Sequence, residues 1–402
     1  MAKRRTKIRI MVVYGTRPEV IKLAPVIDEL RSRRARFTTS TCFTAQHRQM
    51  CEPLFRLFSI TPGHDLDIMT ERQSLKDIAT RTMQRLDRVL ERERPHMVLV
   101  QGDTTTAFAS ALLAFYRRIP VGHVEAGLRT YNLWNPYPEE LNRQLISRIA
   151  ELHFAPTPRS REALLAEGIP ADRVFVTGNT VIDALHLALA KRRRGAAPKR
   201  PARGGRTLIL VTAHRRESFG AGIEEICSAL LDLVRRNDDI EIVLPVHPNP
   251  AVKVPVTRAL GKHPRITLSP PLEYEELIAV MERSSLVLTD SGGLQEEAPA
   301  LGKPVVVMRD ETERPEIVEA GGAVLAGPHR DRIVRSVEGI LGNRRRYERM
   351  AHVRNPFGDG HAAERIVEII DAWFRSPRPD IEALKRRVEY SAGARARRSR
   401  RR

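Results

Sequence analysis

Cysteine, long apolar runs and the common cofactor fingerprints are what this sequence lacks. Only Cys42, Cys51 and Cys227 occur in 402 residues. An odd count without a CxxC spacing excludes a disulfide framework and a zinc knuckle. No apolar stretch approaches the roughly 18 residues needed to span a bilayer. The apolar run Ile8–Val13 behind the basic N-terminus is too short for a signal-peptide core. These absences predict a reduced, soluble, cytoplasmic protein. No GxGxxG follows a predicted strand, and GxxxxGK[ST], HExxH and GxSxG are all missing. A dinucleotide fingerprint, a Walker P-loop, a zincin and a serine hydrolase are thereby disfavoured.

Acidic residues are also missing, but only locally. Residues 1–9 hold five Lys/Arg, 191–206 hold eight and 391–402 hold six, with no Asp or Glu among them. These nineteen cations account for the whole excess of 68 basic over 49 acidic residues. The body of the chain is balanced, so the net charge of +19 reflects two tails and a linker. Salt-sensitive adherence to polyanions fits this pattern better than specific nucleic-acid recognition. With 42% hydrophobic and 29% charged residues, the composition is that of a globular protein of two or three domains.

Short β-branched runs alternate with amphipathic stretches, the mark of parallel sheets covered by helices on both faces. The first series places strands at 8–13, 37–43, 97–101, 120–124, 152–155 and 173–177. Its helices fall at 19–33, 46–58, 74–93, 104–117, 138–149, 158–168 and 180–190. Residues 191–206 are rich in Arg, Pro and Gly and read as a linker. A second series follows, with strands at 207–212, 240–246, 265–268, 286–289, 304–307 and 323–326. Its helices fall at 222–236, 273–283, 292–301, 313–320, 328–341, 344–353 and 361–375. The expected fold is α/β: a Rossmann-like domain at 1–190, a basic linker at 191–206 and a second Rossmann-like domain at 207–375. The last helix is free to cross back, and 376–402 form a basic, unstructured tail. Two doubly wound domains in tandem predict a ligand cleft at the carboxyl ends of their sheets.

The sharpest motif is LVLTDSGGLQEE at 286–297. A buried strand runs into Ser291-Gly292-Gly293, which open a helix whose bare N–H groups and dipole suit an anion. Glu297, one turn on, is placed for a sugar diol; a Ser-capped entry turn is the plainer alternative. A matching strand–loop–helix carries Tyr14-Gly15-Thr16-Arg17-Pro18-Glu19, with Lys22 one turn later. Arg17 suits a phosphate, or is an ordinary exposed loop residue. Asp103 follows the strand at 97–101, where it serves equally as an N-cap. Glu125 follows the strand at 120–124, and Glu139 and Glu140 sit at a helix start after Pro138, where they also complement the dipole. Closely spaced acids have their pKa values pushed apart, which suits acid/base work. His214 and Arg215 follow the strand at 207–212, His247 follows 240–246, and Arg314 precedes Pro315 at a helix start.

The strings YGTRPEVIKLAP, TAQHRQM, GDTTT, GHVEAGLRT, PYPEELNR, FVTGNTVIDAL, HRRES, PVHPNP, LTDSGGLQEEAPALGKPV, RDETERPE and NPFGDG occur in this order from about Ile8 to about Phe374. Together they resemble the non-hydrolysing UDP-N-acetylglucosamine 2-epimerases. The resemblance implies two Rossmann-like doubly wound domains in a glycosyltransferase-B arrangement with an interdomain cleft, paired as a homodimer. It implies interconversion of UDP-GlcNAc and UDP-ManNAc through 2-acetamidoglucal, supplying surface polysaccharide synthesis, with neither metal nor NAD. Residue by residue, Arg17, Lys22, His214, Ser291, Gly292, Gly293, Glu297 and Arg314 match positions that hold UDP. Asp103, Glu125 and Glu139 match the acid/base set, with His214 near the leaving phosphate. Gln46, Gln49, Arg72, Glu140, Arg215 and His247 match a second, allosteric UDP-GlcNAc site. The chain departs from the family pattern at Leu272 and Leu277, where a polar and an aromatic residue are usual, and at Pro248. The two leucines do not supply the usual side chains for reading uracil, which leaves backbone atoms of this segment as the alternative. A hydrolysing epimerase and a glycosyltransferase of the same architecture are the rival activities. A polyanion-binding protein is the non-enzymatic one.

Overall fold

A computed structural model describes residues 7–70, 73–195, 206–215, 219–375 and 380–390. The chain divides into two compact units. One comprises Met1–Leu187 with Phe357–Arg402, the other Ala188–Pro356.

The first unit begins β1 (Ile8–Tyr14), α1 (Arg17–Ser32), β2 (Phe37–Phe43), α2 (Arg48–Phe58), β3 (His64–Asp65) and α3 (Leu75–Glu93). It continues with β4 (Met97–Gln101), α4 (Thr105–Tyr116), β5 (Val121–Val124), α5 (Glu139–Ile149) and β6 (Leu152–Ala155). α6 (Pro158–Ala166), β7 (Val174–Val176) and α7 (Thr180–Gly195) complete the series, the last turns of α7 from Ala188 onward being counted with the second unit. Its parallel strands lie in the order β3-β2-β1-β4-β5-β6-β7. Every residue of β4, MVLVQ, is buried. A strand covered on both faces needs a continuous apolar run rather than alternation. Met11, Val13, Val98 and Val100 pack with Leu86 and Leu90 of α3 and Ala107 and Ala111 of α4.

The second unit comprises β8 (Thr207–Thr212), α8 (Ala221–Arg236), β9 (Ile240–Pro245), α9 (Pro250–Leu260), β10 (Ile266–Ser269) and α10 (Tyr274–Arg283). There follow β11 (Leu286–Thr289), α11 (Gly292–Ala300), β12 (Val305–Val307), α12 (Pro315–Glu319), β13 (Ala323–Leu325), α13 (Arg330–Leu341) and α14 (Arg344–Ala351). Its parallel order is β10-β9-β8-β11-β12-β13. Ile209, Val211, Leu286 and Leu288 form a core with Ile226 and Leu230 of α8 and Ile333 and Val337 of α13. In each sheet the strand order reverses once, between β1 and β4 and between β8 and β11. Loops diverge there at the carboxyl edge and leave a crevice for a ligand.

α15 (Ala362–Arg375) and α16 (Ile381–Val388) belong to the first unit. α15 packs on α1, and Arg36 is paired with Asp371. The expectation of an unpacked tail from 376 onward does not hold for residues 380–390. Leu384, Val388 and Tyr390 are buried, the Tyr390 N–H donates to the Val176 carbonyl at 2.7 Å, and Lys385 Nζ donates to the Ala171 carbonyl at 2.6 Å. An apolar stripe at helical spacing outweighs the basic face beside it. Residues 391–402 lie outside the described residues.

Two other elements escape the pattern reading. β3 is too short to show a period. α9 is masked by prolines, yet Asn249 caps it, Pro250 sits at the N-terminal position that needs no N–H, and Val252, Val256 and Leu260 bury one face. Of the basic linker, α7 reaches Gly195, and 196–205 lie outside the described residues. Among the described residues no helix is long and apolar enough to cross a membrane.

Candidate active site

The first unit gathers its ionisable side chains at the reversal point beside β1, β4 and β5. The chain leaving β1 places Gly15 and Thr16 just before α1. Glu19, fully buried, accepts their N–H groups at 2.9 and 2.7 Å on one oxygen and the Thr104 hydroxyl at 2.8 Å on the other. It thereby ties the loop bearing Arg17 to the loop bearing Asp103. Burial raises the Glu19 carboxyl above its ordinary range, although these hydrogen bonds oppose the shift. Arg17 is exposed at the start of α1.

Asp103, after β4, meets Arg143 Nη2 at 2.7 Å, and the Asn142 amide donates to its carbonyl at 2.9 Å. Burial pushes the Asp103 carboxyl up to about 6. Arg143 opposes that rise, and the charges of Glu125 and Glu139 add to it. Beneath it the buried His123 ring lies 2.8 Å from the Gly102 carbonyl, and burial holds the imidazole down near about 3, so it stays neutral.

Glu125 sits directly after β5 with φ of 63°, a left-handed conformation rare for a residue with a side chain. Lys22 Nζ lies 2.5 Å from Oε1, the Asn179 amide donates to the same oxygen at 2.9 Å, and the Gln101 amide donates to Oε2. Lys22, expected on the nucleotide, is therefore brought to the carboxylate cluster. Glu139 is half-buried at the first position of α5. Glu140 turns inward. It accepts the N–H groups of Thr130 and Tyr131 at 3.0 Å each and the Gln144 amide at 2.8 Å, anchoring the loop that carries Trp134 and Tyr137. Burial alone would raise its carboxyl, but these donors and Arg143 hold it below the ordinary range.

The second unit repeats the arrangement at β8 and β11. Asp290, fully buried, accepts the backbone N–H groups of His214 and Arg215 at 2.6 and 2.7 Å, and His214 Nδ1 lies 3.0 Å from its other oxygen. Burial would raise the Asp290 carboxyl, yet His214 and the two N–H groups hold it below its usual value. His247 is exposed and stacks on His214, ring centres 6.1 Å apart. Ser291 precedes α11. A Cβ built on Gly292 would meet nothing within 4 Å, and one on Gly293 would meet only side-chain oxygens at 3.6 and 3.9 Å. Packing within this unit does not require either glycine, so the open space over them suits close approach by a ligand. Glu297, in the next turn, accepts the Tyr274 hydroxyl at 2.6 Å, and burial together with that carboxylate raises the phenol well above its ordinary pKa. Arg314 is buried, its Nε turned to Glu296 and its Nη1 to the Glu313 carbonyl at 3.1 Å. Leu272 and Leu277 are half-buried around the start of α10.

The residues matched to a second ligand site fall in both units. Gln46 accepts the Thr106 hydroxyl at 3.1 Å, and Gln49 is exposed at the start of α2. Arg215 is half-buried. Arg72 lies outside the described residues, as do residues 216–218 of HRRES.

Sequence reasoning missed Glu19, Gln101, Arg143, Asn179, Tyr274 and Asp290 as parts of these sites. The available signal was a polar residue where a buried strand or helix turn requires a partner: Gln101 closes an otherwise apolar strand, and Asp290 directly follows another.

The pairing of Asp103 with Arg143 carries a pH prediction. The pH profile of kcat/KM is expected to inflect near pH 6, where Asp103 exchanges its proton. Arg143→Met should move that inflection upward, because a carboxylate without its cation holds its proton more tightly. Initial rates between about pH 5 and pH 9 decide this. An unmoved inflection would assign it to another group.

A bare helix start at the reversal point of one sheet and a cation-held carboxylate cluster at the reversal point of the other place the chain among doubly wound α/β proteins with candidate ligand sites at the carboxyl edges of their sheets. Comparison with known proteins narrows the class. The family model described as UDP-N-acetylglucosamine 2-epimerase matches residues 29–371. The UDP-N-acetylglucosamine 2-epimerase of Escherichia coli K12 is 49% identical over 370 residues, covering 90% of this chain and 98% of that protein. The crystal structure of UDP-GlcNAc 2-epimerase from Neisseria meningitidis bound to UDP-GlcNAc is 46% identical. It covers 90% of this chain and 99% of its own, with a TM-score of 0.83. The Methanocaldococcus jannaschii UDP-GlcNAc 2-epimerase, in complex with UDP-GlcNAc and UDP, is 32% identical with a TM-score of 0.75, covering 90% and 99%. The chain belongs to the UDP-N-acetylglucosamine 2-epimerase family.

Proposed function

We propose that this protein interconverts UDP-GlcNAc and UDP-ManNAc by eliminating and re-adding UDP, without net hydrolysis. The observation that carries the reading is the trio Asp103, Glu125 and Glu139, set among Lys22 and Arg143 at the reversal point, in a chain half-identical to a named epimerase.

The C2 proton of the sugar is not acidic in the ground state. As the anomeric C1–O bond breaks, its electron pair leaves with the β-phosphate of UDP and positive charge develops at C1. A carboxylate then removes the C2 proton, and the C2–H electron pair forms the C1=C2 bond of 2-acetamidoglucal. In the reverse half, a carboxylic acid returns a proton to the opposite face of C2 while the UDP oxygen re-attacks C1. The chemistry needs acid and base groups on both faces of the ring and a firm hold on the released UDP. Three carboxylates supply the first. Ser291, Gly292 and Gly293 N–H groups with Arg17, His214 and Arg314 supply the second, and Glu297 takes the ribose. Gln46, Gln49, Arg72, Glu140, Arg215 and His247 are proposed to hold a second UDP-GlcNAc. The product nucleotide sugar would feed a glycosyl-transfer reaction in surface polysaccharide synthesis in the cytoplasm. Pairing of two copies is part of the reading. In its support, Phe115 and Tyr116 of α4 and Leu141 and Leu145 of α5 stand exposed on helices that pack side by side.

Incubation with UDP-GlcNAc in deuterated water tests the reading. UDP-ManNAc carrying deuterium at C2 is expected, with UDP remaining substoichiometric. Accumulation of UDP with free N-acetylmannosamine would assign the hydrolysing reaction. Turnover only on addition of a sugar acceptor would assign a glycosyltransferase.

A further inference from the structure

Glu125 does not hold its own position. Its backbone lies in the left-handed region, where a side chain is tolerated only if the surroundings determine it. Its carboxylate faces three donors from three separate elements: Lys22 on α1, Gln101 at the end of β4 and Asn179 in the loop before α7. Gln101 and Asn179 are buried. Asn179 is itself fixed on all sides. Its N–H donates to the Phe357 carbonyl at 2.6 Å, its carbonyl accepts the Ile182 N–H at 3.2 Å, and its Oδ1 accepts the Val181 N–H at 3.3 Å. With Oδ1 engaged at the helix start, Nδ2 has one orientation, toward Glu125.

We propose that Gln101 and Asn179 are positioning residues for the reaction, an uncharged pair of amides that sets the plane of the Glu125 carboxylate beside Lys22. The inference rests on the epimerase reading and names how one of its acid/base groups is aimed. A lone lysine is a point charge and leaves a carboxylate free to rotate about its last torsion. Two amide donors, one on each oxygen, fix that torsion. The segment entering α15 joins this machinery through Phe357, which explains why NPFGDG stands among the motifs although none of its side chains is in the acid/base set.

The two halves of the Asn179 amide separate a structural role from a positioning one. Asn179→Asp keeps the oxygen that accepts the Val181 N–H and replaces the donor to Glu125 by a second acceptor. Gln101→Met removes the other donor at nearly constant shape and adds no charge. Wild-type protein is assayed first for UDP-ManNAc formation; failure there removes the epimerase reading, whatever the variants do. With wild type active, Asn179→Asp should lower kcat by at least about thirtyfold and Gln101→Met by about tenfold, the scale of losses from misplacing a reacting group. The UDP dissociation constant from calorimetry should stay within about twofold in both, since neither amide is in the nucleotide-binding set. Melting temperature is measured alongside. A kcat within about threefold of wild type in both variants would overturn the proposal, as would losses that only follow weakened UDP binding or a lowered melting temperature. Should Asn179→Asp fail to fold, Gln101→Met decides alone.

Discussion

Replacing Glu125 by Gln is expected to lower kcat for UDP-GlcNAc epimerisation at least about a hundredfold, the usual scale for losing an acid/base group. The amide cannot carry the proton, and it has a single acceptor oxygen to offer three donors. Lys22 at 2.5 Å, Gln101 and Asn179 would then compete for it, and a cation that is 15% exposed would lose the carboxylate charge directly beside it. Asp103→Asn and Glu139→Gln are expected to fall by at least the same factor of about a hundred. Steady-state rates with circular dichroism as a check on folding decide the matter. Near-normal turnover in any one variant would remove that residue from the acid/base set. Incorporation of deuterium at C2 by a slow variant would show that the remaining pair still exchanges the proton.

The largest effect on stability is expected two residues further along. Gly127 has φ of 92°, and a Cβ placed there would lie 2.1 Å from the Ser160 carbonyl oxygen and 2.8 Å from its carbon. The obstacle is backbone in the first turn of α6, which the Thr157 hydroxyl holds by accepting the Ser160 N–H at 3.2 Å. That turn cannot yield as a flexible side chain would. Gly127→Ala should therefore cost about 3–5 kcal/mol, at the severe end for a single substitution. Gly168→Ala is the control. Its φ is 81°, but nothing lies within 4 Å of the added Cβ, so only the backbone preference is tested, at about 1 kcal/mol. Urea unfolding followed by far-ultraviolet circular dichroism gives both values. Equal losses would mean that the contact with Ser160 relaxes freely.

Legibility differed by kind of residue. The strands were plain because a parallel sheet covered on both faces demands unbroken apolar runs, as in MVLVQ and LVLT. The polar and ionisable residues just after those strands were legible for a related reason: the carboxyl edge of such a sheet is where side chains escape the core. Asp103, Glu125, His214 and Ser291 all sit there in the structure. α9 was not legible, since four prolines within Pro245–Pro255 read as a breaker until the capping Asn249 and the buried valines are placed. Residues 380–390 were not legible either, because the Tyr390 N–H gains its worth only once Val176, more than two hundred residues earlier, is beside it.

What the amino-acid sequence determined by itself was local: which runs form strands, which residues start helices, and which charged groups stand at strand ends. Those choices follow from backbone preferences and from the period of apolar residues, and both act within a few residues. The tertiary structure alone decided who partners whom. Lys22 meets Glu125 rather than standing free for a phosphate, Arg143 meets Asp103, Glu19 bridges two loops, and Asn179 is locked by Phe357. A hydrogen bond or ion pair depends on distances of a few ångströms between groups separated by up to 178 residues in the chain, and only the tertiary fold, with β1, β4 and β5 side by side in one sheet, brings those groups together. The pKa of Asp103 follows the same rule: burial and the charges of Arg143, Glu125, Glu139 and Lys22 set it, and none of these can be read from the residues beside it in sequence.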